Sequence, residues 1–113
     1  MQAKINLCCI IIGCSLIGIA AAKEISDQGR ELAFARNKGN CLACHVIAGG
    51  SQMGDIGPAL FDINIRFPDR RRLRDQIWDA SEFNPVSLMP PFGRHKILSD
   101  SEIDAIVEYL YTL

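Results

Sequence analysis

Two thiols with two apolar residues between them, and an imidazole next in line, make Cys41-Leu42-Ala43-Cys44-His45 the segment best equipped for chemistry. Thiols one helical turn apart can each form a thioether to a different vinyl group of one porphyrin. The following residue then offers a ring nitrogen to the iron, and C-x-x-C-H is the spacing that attaches haem c. Three other uses of the same residues compete. A thioredoxin-like redox pair should follow a strand in a βαβ pattern, and the sequence shows none. A zinc site needs about four ligands, and beyond these three only His95 is a conventional candidate. A structural disulfide would leave His45 without a role. The sequence therefore predicts one haem c, covalently held by Cys41 and Cys44, with His45 as an iron ligand.

The second axial donor can come from Met53, Met89 or His95. Met53 follows His45 by only eight residues, too few for an easy path around a porphyrin edge. Met89 lies 44 residues beyond His45, which leaves room for a helix and a wrap. Pro90 and Pro91 follow it, and a residue before proline is pushed to extended geometry, so the loop presenting the sulfur is stiffened. The spacing favours Met89, with His95, Met53 or an open iron as the alternatives. A His/Met pair raises the reduction potential relative to harder ligands. It also fills the iron's coordination, which argues for electron transfer over catalysis at this centre.

Around that centre, Pro58 keeps a carbonyl that can accept the outer N–H of His45 and fix its tautomer; a simple turn proline is the plainer reading. Trp78 can donate to a propionate or sit in the core. Arg66, Arg70, Arg71, Arg72 and Arg74 concentrate positive charge in a chain of net charge −1. Most of them read as a solvated helix face, with Arg71 and Asp75 paired at i, i+4. One can meet a propionate and others an acidic partner. The overall charge gives no attraction to nucleic acid.

The elements that must position these residues are helical. Lys4 precedes an uncharged run, Ile5 to Ala22, that ends Ala20-Ala21-Ala22 before Lys23 and Glu24. This reads as a secretory signal peptide over 1–22, cut after Ala22, which places a domain over 23–113 in the periplasm. A retained anchor and an acylated Cys14 within Ile11-Ile12-Gly13-Cys14 are the alternatives, and either would tether the protein to a membrane. Residues 26–38 read as a helix capped by Ser26 or Asp27, with Gly39 as a left-handed stop. Residues 46–68 read as loop, 69–81 as a second helix with Leu73, Ile77 and Trp78 on one stripe, and 83–98 as another loop. Ser99 and Glu102 make a capping box ahead of Ile103, Ile106, Val107 and Leu110. The expected fold is all-α: three to five helices wrapped around one haem, in long loops of the kind that hold something functional.

Three blocks stand in the order of a class I cytochrome c: Gly39-Asn40-Cys41-Leu42-Ala43-Cys44-His45, Gly54-Asp55-Ile56-Gly57-Pro58-Ala59-Leu60 and Met89-Pro90-Pro91-Phe92-Gly93. Their wording, with Ile77-Trp78-Asp79, Asn84-Pro85 and Ile97-Leu98-Ser99, resembles the SoxX family, small monohaem subunits of the bacterial thiosulfate-oxidising Sox system. The resemblance covers roughly residues 28–113. It implies the class I cytochrome c fold, with first and last helices crossing behind the haem. It also implies Cys41 and Cys44 as haem attachments and His45 and Met89 as axial ligands. Such subunits pair with a larger haem-bearing partner, SoxA, in a heterodimer that joins thiosulfate to a carrier-protein cysteine. The catalytic ligand belongs to that partner, so this chain is expected to be non-catalytic alone and to pass electrons to a further cytochrome. A free-standing electron carrier, a small peroxidase and a haem-free disulfide protein are the rival expectations.

Overall fold

The computed structural model describes the backbone of residues 9–113 and the side chains of 17–113; residues 1–8 of the expected leader lie outside the described residues. Helix α1 spans Cys9–Phe34, α2 Ile63–Arg66, α3 Arg70–Trp78 and α4 Asp100–Leu110, with 3-10 turns at Cys41–Ala43 and Ala80–Glu82. Among the described residues there is no strand, only an isolated parallel bridge between Ile47 and Leu60. No helix among them is long and apolar enough to cross a membrane.

The first helix starts earlier than its polar residues suggested. Neither Ser26 nor Asp27 caps it, because α1 is already helical from Cys9 and runs straight through Lys23. Helix-forming residues such as Ala20, Ala21, Ala22 and Glu24 carry it onward, and Lys23 pairs with Asp27 one turn later at 2.5 Å. It also stops earlier, at Phe34 rather than Lys38. The left-handed residue in the following turn is Asn40 (φ 48°), not Gly39. Gly39 is needed for space instead, since a Cβ there would stand 3.0 Å from the Leu32 carbonyl oxygen.

Helices α1 and α4 form the main packed pair. At their crossing Gly29 lies so close to α4 that a Cβ would come 1.9 Å from the carbonyl oxygen of Ala105. Ala33 is buried beside it, and Phe34 meets Tyr109 edge-on, centroids 6.0 Å apart. The apolar stripe of α4, with Ile103, Ile106, Val107 and Leu110, is buried. Both halves of the Ser99–Glu102 capping box are formed, and Glu102 also takes a 2.7 Å ion pair from Lys38.

Helix α3 is capped by Asp69, which accepts from the Arg71 N–H at 2.9 Å, and buries Leu73 and Ile77. The expected Arg71–Asp75 pair does not form. The cationic side chains reach across to α4 instead: Arg74 to Asp104 at 2.6 Å and Asp100 at 2.9 Å, and Arg70 to Glu108 at 2.5 Å. Facing helices offer carboxylates in a better position than the same helix's next turn. The helix expected to run to residue 81 stops at Trp78. There Asp79 turns its carboxylate onto the Ser81 N–H and hydroxyl (3.0 and 2.5 Å), a side-chain competition that ends the α-helix and starts the 3-10 turn. The single turn α2, inside a segment read as loop, follows Asp62 at φ 50° and buries Ile63 completely.

Candidate haem-binding site

The segment bearing the two thiols is tightly wound. The amides of Cys44 and His45 both donate to the Cys41 carbonyl, at 3.2 and 2.9 Å. This turn gathers the thiols and the imidazole at one end of the α1–α4 pair. Residues 54–60 then fold back along it: Gly54 donates to Leu42 (2.8 Å), Gly57 to Cys44 (2.7 Å) and Leu60 to Val46 (2.9 Å). Gly57 lies flat on the imidazole, where a Cβ would come 2.4 Å from the His45 Cε1. Glycine is required there for close approach, not for its backbone angle.

His45 Nδ1 stands 2.6 Å from the carbonyl oxygen of Pro58. A carbonyl can only accept, so Nδ1 carries the proton and donates. In the neutral ring the free lone pair then belongs to Nε2, ready to ligate a metal. Pro58 is thus placed where it orients His45.

An apolar cavity of about 530 Å³ opens beside this turn. Cys41, His45, Pro58 and Met89 all line it, and Ile63, Leu73, Ile77, Phe92, Leu98, Ile106 and Leu110 supply much of the wall. The volume falls within the ~300–1,000 Å³ of sites that take a cofactor-sized ligand. Cys44 is half-buried next to the cavity without lining it. Burial pushes the Cys41 thiol up to about 11, so it stays protonated near neutrality and is poorly suited to disulfide exchange. Two reduced cysteines, an imidazole with its outer nitrogen engaged, a thioether and an apolar wall fit a haem c.

The alternative iron ligands lie elsewhere. The Met53 sulfur accepts from the Ile47 N–H at 3.2 Å and is absent from the cavity wall. His95 is exposed and does not line the cavity either. Trp78 is likewise outside the wall; its indole is covered by Gly93, whose Cβ would come 1.9 Å from Cδ1. Arg66 alone of the five arginines lines the cavity, and it donates to the Ala59 and Phe61 carbonyls at 2.8 and 3.4 Å. Sequence reasoning missed the fit of Gly57 against His45, the buried turn α2 and the burial of Asp79. The Gly57-Pro58 pair carried a signal for the first; Asp62 and Asp79, polar residues flanked by apolar ones, carried almost none.

A helical domain that brings Cys41, an imidazole and a thioether to one apolar cavity, with Cys44 beside it, is the construction of a c-type cytochrome. The family model described as cytochrome c oxidase, cbb3-type, subunit III matches residues 26–110, and the chain belongs to that family. It is a class I cytochrome c domain of the electron-transfer type, with haem c as the cofactor the family implies. The chain is also similar to an uncharacterized lipoprotein of Aquifex aeolicus (strain VF5), 37% identical over 79 residues. That match covers 66% of this chain and 36% of the relative, so the chain spans about a third of that protein's length.

Proposed function

We propose that the chain is an exported monohaem cytochrome, with haem joined covalently to Cys41 and Cys44 and its iron between His45 and Met89. The observation that carries this reading is the convergence of Cys41, His45 and Met89 on one apolar cavity, with the His45 ring fixed by the Pro58 carbonyl at 2.6 Å. Bound there, haem c supplies a one-electron iron couple. The chain's own contribution is threefold. Pro58 keeps His45 in the ligating tautomer, Met89 offers a soft donor that favours the reduced state, and the aliphatic wall keeps water away.

Its finer role, on the resemblance of the three motif blocks, is the non-catalytic redox subunit of a thiosulfate-oxidising complex. In that role it accepts electrons from a larger SoxA-like haem subunit and passes them to a downstream cytochrome. Isolation of the native protein from the periplasm tests this. A stoichiometric larger haem-bearing partner is expected, and a lone monomer would overturn it.

A second reading is a free-standing carrier, and the family match, whose description is of an oxidase subunit, supports a terminal oxidase as the acceptor it would feed. The similarity to a lipoprotein supports a tethered form of this carrier, acylated at Cys14, against a soluble form cut after Ala22. Lipid-labelled precursor feeding separates the two, since only the tethered form incorporates fatty acid.

A further inference from the structure

We propose that Asp79 is a positioning residue: its buried carboxylate latches both ends of the loop that carries Met89 and so keeps the thioether at the cavity. The proposal rests on Met89 being the second axial donor.

Residues 83–94 form a loop whose two ends close on the same three residues at the end of α3. On the entering side, the amides of Phe83 and Asn84 donate to the Ala80 carbonyl at 3.2 and 3.0 Å. On the leaving side, the amides of Gly93 and Arg94 donate to the Trp78 carbonyl at 3.0 and 3.3 Å. Asp79 stands between these two anchor points. Its Oδ1 accepts from the Ser81 amide and hydroxyl, and its Oδ2 lies 2.9 Å from the Arg94 Nε. That pairing is one of charge, since its angle departs from hydrogen-bond geometry and Oδ2 has no other partner. Among the described residues Asp79 is the charged side chain that is buried, at 1% exposure.

Burying a carboxylate is costly unless it is paired, yet Asp79 does not line the haem cavity. Its cost is offset only by what it holds in place. Within the loop Met89 packs against the core beside buried Phe92, but its backbone has few ties of its own. Its amide reaches only as far as the Ser87 hydroxyl, at 3.2 Å. Its neighbours Val86 and Leu88 are 83% and 80% exposed. The loop has the close ends of a compact surface loop, its core contact at Phe92 lies on the leaving side next to Arg94, and Asp79 is the side-chain tie across its base.

The test uses the haem-loaded protein and three variants: Asp79→Asn, Arg94→Gln and the conservative Arg94→Lys. Three quantities are read: the iron–thioether absorption band, the rate at which imidazole binds the ferric protein, and amide hydrogen exchange over 83–94 against α4. Asp79→Asn keeps the shape and the Ser81 contacts but faces Arg94 with a donor. Imidazole binding should speed up roughly tenfold to a hundredfold, the range for losing a buried charged contact, with exchange over 83–94 rising by a similar factor and α4 unchanged. Arg94 is half exposed, so Arg94→Gln should give about a two- to fivefold effect and Arg94→Lys should stay near wild type. Wild-type imidazole rates and wild-type exchange in both Asp79→Asn and Arg94→Gln would overturn the latch. If Asp79→Asn does not fold, Arg94→Gln decides by the same two readouts. A wild-type protein without the thioether band would remove Met89 as ligand, and the latch then stands or falls on the exchange data alone.

Discussion

Replacing Gly29 by alanine should destabilise the haem-loaded protein, although the same change in an ordinary helix would stabilise it. Alanine is favoured over glycine inside a helix by about 0.8–1 kcal/mol, so propensity alone predicts a higher melting temperature. The geometry at the α1–α4 crossing opposes this. The new Cβ would sit 1.9 Å from the Ala105 carbonyl oxygen and 2.5 Å from its carbon, where ordinary contact begins at 3.4 Å. The obstacle is backbone, which no rotamer change can move aside, so the helices must part by roughly 1.5 Å along that line. Overpacking of this kind costs about 1–3 kcal/mol, at times more, and separating the helices also loosens Ala33 and Phe34 against Tyr109. The net expectation is a loss of about 1–2 kcal/mol, or a fall of roughly 4–16 °C in Tm for a domain of this size. Thermal unfolding followed by far-ultraviolet circular dichroism measures it, with exposed Gln28→Ala on the neighbouring position as a control within about 0.5 kcal/mol of wild type. A Gly29→Ala protein as stable as wild type, or more so, would refute the close crossing.

Other consequences follow from the site. Gly57→Ala puts a methyl 2.4 Å from the His45 ring; the ring must turn off the Pro58 carbonyl, and haem content per polypeptide should drop, which a pyridine haemochrome assay would register. Met89→Ala should abolish the iron–thioether absorption band and lower the midpoint potential by on the order of 0.1 V, within the ~0.8 V span that axial ligands command; an unchanged spectrum would assign the position to another residue. Stability should also fall in acid. The Ser81 hydroxyl holds the Asp79 carboxyl below its ordinary 3.8, and the Lys38 ammonium holds Glu102 below its ordinary 4.5. Because both are depressed in the folded state, their contribution is complete above those ordinary values and is lost as pH falls through and below them. Melting temperature should therefore be flat from pH 7 to about 5 and decline toward pH 3, less steeply in Glu102→Gln, and a Tm that does not fall in acid would count against these pairings.

What could be read from residue order was the part governed by local rules. The C-x-x-C-H run, the capping box at Ser99 and the apolar periodicity of α4 each depend on residues within one or two turns of one another. Pro58 could be singled out because proline offers a carbonyl and no competing N–H. The misplaced start of α1 came from treating Ser26 as a cap when Ala20 to Ala22 were already competent to be helical. Arg70 and Arg74 pair with α4 while Arg71 does not pair with Asp75, because partner choice across an interface depends on helix orientation, which no i, i+4 rule contains. Gly29, Gly57 and Gly93 show the same limit: each is a glycine because another part of the chain lies against it, and sequence does not say which part. Asp79 is the extreme case, a carboxylate whose burial follows from how two ends of a loop meet.

The central claim, that Cys41 and Cys44 carry haem by covalent bonds, is tested most directly by mass spectrometry of denatured tryptic peptides. The protein should be made with export in cells able to attach haem. Cleavage after Lys38 and Arg66 releases the peptide spanning 39–66, and that peptide should carry the mass of one haem through denaturation. The same peptide recovered without haem, as free thiols or as a Cys41–Cys44 disulfide, would contradict the account.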